Sequence, residues 1–169
     1  LYNSLAHRTT WLRSDLRFAF EAFLPYDKKE REEILQELKD ETRTIILYEA
    51  PHHLKKTLRE CREYLGNRPM TVCKELTKKY EKKLRGTLDE VIAFYEENEP
   101  RGEYVLVFEG KSRQALKKEA QEQWMEMSLT EHMDVYLKQG MDKKEAMKLV
   151  AKDRGLRKRD VYNELLKMQ

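Results

Sequence analysis

The sequence predicts an α/β fold, in which a mixed sheet of four to five strands packs against helices and a small helical bundle follows. Short apolar runs alternate with segments of helical period as far as residue 110, and beyond it only helical segments with capping signals occur. The length of 169 residues and mass of 20.4 kDa suit one domain with a small appendage. Two full-sized domains are excluded.

Four short runs are typical of strands, because they are rich in β-branched and aromatic residues. Two of them, residues 44–48 and 104–108, have continuous apolar centres, which suits strands covered on both faces. The others are residues 18–24 and 70–73. The sequence therefore predicts at least four strands separated by helices.

The intervening segments carry helix signals. Leu54, Leu58, Cys61 and Leu65 fall on one helical face between Pro51 and Gly66. Further helices are expected at 30–39 and after the capping box of residues 87–90, and the tail has three short helices that resemble a helix-turn-helix bundle. The expected boundaries are 1–17 (an unassigned leader), 18–112 (the α/β lobe), 113–127 (a linker or exposed helix) and 128–169 (the three-helix tail).

Composition excludes several classes of protein. With 34 Lys and Arg against 31 Asp and Glu the net charge is only +3, so any basic function must be local. Six glycines, none closer together than eight residues, leave no glycine-rich phosphate loop. Cys61 and Cys73 are expected to be buried thiols in a reducing compartment, and the four histidines and two cysteines lack zinc spacing. No membrane span and no signal peptide are predicted, so we expect a soluble cytoplasmic protein without a metal.

Polar residues gather where a buried strand ends and a helix begins, at Tyr48-Glu-Ala-Pro-His-His53. In open α/β sheets, ligands bind outside the carboxyl ends of the strands. Glu49 could orient a substrate hydroxyl there, and His52 could contact phosphate or move a proton. The alternative is an ordinary helix start with exposed polar residues.

A basic segment follows the next strand. Residues 74–85 contain six basic and two acidic residues with Tyr80 between them, so this loop could hold a polyanion. Gly86 and Thr87 begin a helix and offer backbone N–H groups to a ligand. The alternative is a solvated charged loop.

The tail is also basic, with nine basic and five acidic residues from 141 to 169. Its cluster could bind nucleic-acid phosphates, or it could complement helix dipoles and keep the chain soluble. The cluster consists of Arg154, Arg157, Lys158 and Arg159.

Four blocks of sequence, taken in order, resemble the carboxyl-terminal half of the ribosomal RNA small subunit methyltransferase I family. They are Phe20-Glu-Ala-Phe-Leu-Pro25, Leu47-Tyr-Glu-Ala-Pro-His52, Lys74-Glu-Leu-Thr-Lys78 with Glu81 and Arg85-Gly-Thr87, and Gly102-Glu-Tyr-Val-Leu-Val-Phe-Glu-Gly110. The three-helix tail resembles the family's small helical extension. The resemblance implies the second lobe of a tetrapyrrole-methylase fold.

The resemblance also implies the reaction, an S-adenosylmethionine-dependent methylation of the 2′-hydroxyl of a cytidine in the decoding region of 16S rRNA. The family usually forms homodimers and holds its cofactor between two lobes, so this portion alone is expected to be inactive. Within that reading, the residues for substrate and hydroxyl handling are Glu49, Lys74, Glu75 and Lys78. Those for the cofactor are Tyr48, Ala50, Pro51, Gly86 and Thr87. Those for RNA are His52, Thr77, Arg85, Arg154, Arg157, Lys158 and Arg159.

The sequence departs from the family pattern at several positions. The family usually has glycine where Ala22 stands, serine at Ala50 and arginine at His53 and Lys74, and a basic residue at Asp27. Two alternative functions stay open. One is a methylase of the same fold that acts on a small tetrapyrrole, and the other is a non-catalytic RNA-binding or dimerisation module.

Overall fold

The structure, a computed structural model, describes residues 17–167, and within that range the chain divides into two compact units between Ser112 and Arg113. The first unit is a five-stranded mixed sheet with three helices, as the α/β prediction requires. The second unit consists of helices alone. The expected leader, residues 1–17, lies outside the described residues except for Arg17.

The five strands form one sheet in the order β1-β2-β5-β3-β4. Strands β1 and β2 are parallel, whereas β5 is antiparallel to both of its neighbours, β2 and β3, and β4 is antiparallel to β3. It follows that β1, β2 and β3 all run the same way. The bounds are β1 Phe18–Phe23, β2 Thr44–Glu49, β3 Pro69–Lys74, β4 Lys82–Thr87 and β5 Tyr104–Phe108.

Three helices connect these strands and cover one face of the sheet. They are α1 Lys28–Leu38, α2 Pro51–Leu65 and α3 Leu88–Glu97. Their apolar stripes pack against alternate residues of the strands, such as Leu47, Val72 and Leu106, which are at most 1% exposed. The opposite face has a smaller apolar cluster of Ile46, Cys73, Val105 and Val107. We call these the helix-covered face and the second face.

The segment at residues 82–87 corrects one expectation. The sequence predicts a basic loop at residues 74–85, but β4 occupies most of the second half of that segment and pairs with β3 from Lys74↔Lys82 to Pro69↔Thr87. Its six residues, KKLRGT, contain a single large apolar side chain, Leu84, so no alternation marks them as a strand. Pairing with β3 therefore outweighs a weak local preference.

The second unit contains α4 Arg113–Met125, α5 Leu129–Lys138, α6 Lys143–Arg154 and α7 Lys158–Lys167. Capping by Ser128 and Asp142 starts α5 and α6, and Gly155, with φ of 67°, ends α6 in the left-handed conformation. The core is built from α5, α6 and α7 and comprises Leu129, Met133, Ala146, Met147, Val150, Ala151 and Val161. The segment expected as a linker or exposed helix is thus a helix, and it belongs to the same unit as the tail.

Candidate functional site

The topology brings the sequence-predicted polar segments to one edge of the sheet. Because β1, β2 and β3 are parallel, their carboxyl ends meet at the same edge, and β4 and β5 begin there. This edge, which we call the carboxyl edge, carries the loops that follow β1, β2 and β3, at residues 24–27, 50 and 75–81. It is the edge at which open α/β sheets bind ligands.

The last row of residues across this edge is polar. Glu49 of β2 lies opposite Tyr104 of β5, Tyr104 lies opposite Lys74 of β3, and Lys74 lies opposite Lys82 of β4. Residues in register on neighbouring strands project to the same face. Glu49 and Lys74 therefore share the helix-covered face, with one strand between them.

The carboxylate of Glu49 is buried, at 5% exposure, and both of its oxygens have partners. Oε1 accepts a hydrogen bond of 2.8 Å from the backbone N–H of Ala50, and Oε2 accepts one from the hydroxyl of Thr57. Thr57 lies on α2 and is fully buried. A substrate hydroxyl would have to compete with these partners, so the geometry suits a residue that positions the β2–α2 connection.

Arg31 extends this network to the connection after β1. It is 7% exposed and donates to Thr57 Oγ1 at 2.5 Å, to Glu60 Oε2 at 2.5 Å and to the carbonyl oxygen of Pro25 at 3.4 Å. A buried cation is tolerated only when it is paired and hydrogen-bonded in this way. The network therefore joins two neighbouring connections of the carboxyl edge.

Sequence reasoning missed both Arg31 and Thr57. The signal was present, since Arg31 precedes Leu35 and Leu38 at steps of four and three, and Thr57 lies between Leu54, Leu58 and Cys61 on the buried stripe of α2. A polar residue on an otherwise apolar helical face indicates a buried partner.

The residues around Glu49 present different surfaces. Tyr48 belongs to the second face, where its ring contacts Phe20 (5.0 Å between centroids) and Phe23 (5.7 Å). Ala50 is the N-cap of α2 and supplies no side-chain capping bond, and Pro51 occupies the first turn. The exposed His52 lies 4.1 Å, centroid to centroid, from the ring of His53. First-turn amides of α2 therefore have no side-chain cap.

The loop after β3 is held by carboxylates. Glu75 and Thr77 adopt positive φ values of 50° and 68°, which are unusual for residues other than glycine. The Glu75 carboxylate accepts from the backbone N–H of Glu103 at 2.7 Å, and the Glu81 carboxylate accepts from the N–H of Thr77 at 2.9 Å. Gly102 makes room, because a Cβ there would lie 2.5 Å from Oε1 of Glu75.

Lys78 is paired within this loop. Its ammonium lies 2.8 Å from Glu103 Oε2 and 3.2 Å from Glu75 Oε2. The hydrogen bond to Glu103, and then the one to Glu75, raises the pKa of Lys78, while the backbone N–H of Glu103 and then Lys78 lower the pKa of Glu75. A lysine acts as a base at neutral pH only when its pKa is depressed, so this arrangement favours a structural role for Lys78.

Gly86 and Thr87 lie away from the carboxyl edge. They pair with Met70 and Pro69, at the beginning of β3, so the sheet separates them from Ala50 and Pro51 by the length of a strand. Thr87 forms a capping box with Glu90, and the N–H of Leu88 donates to the carbonyl of Arg68 at 3.0 Å. The structure thus does not bring these two candidates together with the rest of the cofactor set. Arg85 projects from β4 on the second face, in register with Thr71.

In the second unit, the basic cluster divides into two kinds of residue. Arg154 is half-buried and donates from Nη2 to the carbonyls of Met127 (2.6 Å) and Ser128 (2.9 Å), and from Nε to His132 Nδ1 (3.1 Å). Burial lowers its pKa. These contacts tie α6 to the start of α5. The exposed members are Arg157, Lys158 and Arg159.

The described residues set further limits on the site. Between residues 17 and 167, no group of three or more His, Cys, Asp or Glu side chains could hold a metal ion. None of the helices described is long and apolar enough to cross a membrane. Both cysteines are free and buried, and burial raises the pKa of Cys61 to about 12.

Comparison with known proteins shows which families this chain is similar to. Residues 9–92 match the tetrapyrrole (corrin/porphyrin) methylases. Over 147 residues, 86% of this chain, it is 46% identical to the ribosomal RNA small subunit methyltransferase I of Halalkalibacterium halodurans and to that of Bacillus subtilis, covering 50% of each. It is 38% identical over 154 residues to the enzyme of the same name from Synechocystis, covering 53% of that protein.

The chain therefore spans about half the length of these relatives. Among solved structures it is similar to a cobalt precorrin-4 methyltransferase of cobalamin biosynthesis, with a TM-score of 0.43 and 20% identity over 55% of this chain and 40% of that one. The chain is thus similar to the tetrapyrrole methylases over residues 9–92, and most of its length is similar to ribosomal RNA small subunit methyltransferases I.

Proposed function

We propose that this chain is the carboxyl-terminal part of an S-adenosylmethionine-dependent methyltransferase that modifies the 2′-hydroxyl of a cytidine in the decoding region of 16S rRNA. The observation that carries this proposal is the 46% identity over 86% of the chain to enzymes named for small-subunit rRNA methylation. The polar row of residues at the carboxyl edge supports it. In this proposal the enzyme works as a homodimer in the cytoplasm, and the chain is inactive without the rest of its relatives' length.

The cofactor would meet this chain at the start of α2. Ala50 supplies no side-chain cap there, Pro51 has no N–H, and the N–H of His53 donates to the carbonyl of Ala50 at 3.1 Å. The N–H of His52 is the first-turn amide available for a carboxylate such as that of the cofactor's methionine part. The backbone from Tyr48 to Pro51 would hold it. S-adenosylmethionine, when bound, supplies the electrophilic methyl group.

The remaining residues of the edge would place the ribose. Glu49, fixed by Ala50 N–H and Thr57, holds the connection that faces the cofactor. Lys74 forms no ion pair within residues 17–167 and lies in the same cross-strand row, so it is the side chain available for the substrate hydroxyl or an adjoining phosphate. Orientation of the hydroxyl and exclusion of water are the contributions expected of this lobe.

The test of the cofactor half is calorimetric titration with S-adenosylmethionine. We expect no binding by this chain and micromolar binding by a longer protein that adds the part of the relatives' length not spanned here. Absence of binding by both proteins would rule out the methyltransferase function and leave an RNA-binding module as the better account.

The test of the substrate is transfer of labelled methyl groups by the longer protein to small ribosomal subunits from cells that lack this modification. Primer extension at low nucleotide concentration then locates the ribose methyl group, with subunits from unmodified and modified cells as paired substrates. Label on a small tetrapyrrole, together with no label on the subunits, would favour the alternative methylase. Salt gives an independent distinction, since affinity for RNA falls steeply with ionic strength.

A further inference from the structure

We propose that Tyr80 and the lysines beside it form a stacking site for one unpaired base of an RNA strand. Tyr80 lies in the loop of residues 75–81 at the carboxyl edge, and 71% of it is exposed. This inference rests on the proposed function, and it adds the conformation of the RNA and the residue that recognises it.

The charges around Tyr80 favour an anionic chain. Two of the basic residues are neutralised in ion pairs, Lys78 with Glu75 and Glu103, and Lys83 with Glu81 at 3.3 Å. In the described part of the chain, the lysines of this segment that form no ion pair are Lys74, Lys79 and Lys82. The acidic groups of the loop are thus already occupied, and lysines without an ion pair in the described residues remain before and after Tyr80 in the sequence.

The aromatic ring itself is also placed for stacking. The ammonium of Lys79 lies 5.7 Å from the centroid of the Tyr80 ring, within the range of a cation–π contact. An exposed aromatic ring with lysines before and after it is the arrangement that proteins use on single strands, in which the ring stacks on a base and the lysines meet the flanking phosphates.

The backbone that presents Tyr80 is fixed before any ligand binds. Glu75 and Thr77 hold positive φ values. The Glu75 carboxylate accepts a hydrogen bond from the Glu103 N–H, and the Glu81 carboxylate accepts one from the Thr77 N–H. The N–H of Lys78 donates to the carbonyl of Glu75 at 3.0 Å, and that of Glu81 donates to the carbonyl of Lys78 at 3.2 Å. A loop already ordered loses less entropy on binding, which favours a specific contact over a transient one.

An unpaired strand fits these features better than a duplex or an acidic protein. Bases of a duplex are already stacked on each other and leave no face for Tyr80, and an acidic peptide would use the lysines without needing the ring. Tyr80 also lies in the loop that follows Lys74 at the carboxyl edge, and Lys74 is the residue available for the target ribose.

The experiment uses the 169-residue chain and fluorescence anisotropy with a labelled ten-nucleotide single-stranded RNA that has no self-complementarity, at 50 to 200 mM salt. We expect Tyr80→Ala to weaken binding by about tenfold and Tyr80→Phe by less than about twofold, since base stacking needs the ring and not the hydroxyl. For the same RNA annealed to its complement, either substitution should lower the affinity by less than about twofold. Circular dichroism checks that the variants fold.

The matched control is Phe94→Ala, an aromatic residue of α3 that is 43% exposed and has Glu96 and Glu97 close by in sequence. It should bind both RNAs like the unmodified chain. If the unmodified chain binds the single strand and Tyr80→Ala binds it equally well, the stacking site is disproved and the proposed function stands.

Two other outcomes also overturn the inference. If polyglutamate displaces the labelled RNA as well as unlabelled RNA does, and Tyr80→Ala does not change this competition, the segment is a basic surface without a stacking site. No binding of single strand or duplex by the unmodified chain would remove the RNA contact of this lobe from the proposed function, and the stacking site with it.

Discussion

The hydroxyl of Thr57 bridges a buried cation and a buried anion, because it accepts from Arg31 at 2.5 Å and donates to Glu49. Arg31 also donates to Glu60 and to the carbonyl of Pro25, and Glu49 also accepts from the Ala50 amide. One small side chain of α2 thus couples the connections after β1 and β2.

The first prediction concerns this bridge. Thr57→Val keeps the volume but removes the hydroxyl, so Glu49 loses a donor and Arg31 loses an acceptor in a buried site. We expect the free energy of unfolding to fall by about 2–3 kcal/mol, measured by urea denaturation of the chain. The control is Thr42→Val at an exposed position, which should change stability by no more than about 0.5 kcal/mol. Equal effects of the two substitutions would contradict the bridge.

Most of the first unit could be predicted from the sequence because its signals are local. The helices at Pro51–Leu65 and Leu88–Glu97 follow an apolar stripe and recognisable termini, and the confirmed α/β fold follows from their alternation with apolar strands. Strand β4 has no such signal, since its partner β3 and not its own composition makes it a strand.

The candidate site was partly predictable because some of its signals are also local in the sequence. A strand end that precedes a helix can be seen in a sequence, and it located Glu49. The partners of Glu49 come from elements far along the chain, and the positive φ values of Glu75 and Thr77 have no sequence signal because glycine and asparagine are absent there. Gly86 and Thr87 stand at a helix start, which is a common feature of ligand-binding sites. Only the strand register shows at which edge of the sheet that helix start lies.

The second prediction concerns Ala22, which has φ of 52° where the register between β1 and β2 shifts. A side chain in the left-handed region is strained, and glycine is not. Ala22→Gly should therefore raise the free energy of unfolding by about 0.5–1 kcal/mol, measured by urea denaturation. Ala19→Gly, in the same strand and 6% exposed, is the control and should lower it. Destabilisation by Ala22→Gly would show that the strain is absent.

The third prediction separates backbone strain from a steric clash. Gly102 and Gly66 have similar φ values, 83° and 77°, but only at Gly102 would a Cβ meet another group, Glu75 Oε1 at 2.5 Å. Gly66→Ala, at a position where ψ is −174°, should cost about 1–3 kcal/mol through strain alone. Gly102→Ala should cost about 1–2 kcal/mol more, because the Glu75 carboxylate must move and release the Glu103 amide. Equal losses in thermal unfolding would mean that the carboxylate moves freely.

The fourth prediction is a pH dependence in the second unit. His132 is fully buried, stacks on Trp124 with 4.0 Å between ring centroids, and accepts from Arg154 on Nδ1. Burial and then the charge of Arg154 lower the pKa of His132, although Asp153, 3.4 Å from Nε2, opposes the shift. The neutral ring is therefore the folded form, and unfolding takes up a proton once the pH is below about 6.5.

Stability of this unit should consequently be constant from pH 8 to about 7, and it should fall as the pH drops from about 6.5 towards the lowered pKa of the folded state. The measurement is urea unfolding followed by the fluorescence of Trp124 in a Trp11→Phe background, which leaves one tryptophan. His132→Gln removes the titrating group and should flatten the pH profile, whatever its effect on stability at pH 8. An unchanged slope in His132→Gln would assign the pH dependence to other groups.

The last prediction distinguishes the two kinds of basic residue in the tail. Arg157 and Arg159 are exposed, so replacing both with glutamine should leave the melting temperature unchanged. If both contact RNA phosphates, the slope of log affinity against log salt should become shallower by about 1.4 for a single strand. Arg154→Gln should instead lower stability and leave the salt slope nearly unchanged. Loss of its bonds to the Met127 and Ser128 carbonyls should destabilise the second unit by about 2 kcal/mol, with a small change in salt slope when the unit is folded. A shallower slope from Arg154→Gln alone would mean that this half-buried guanidinium, and not the exposed pair, meets the RNA.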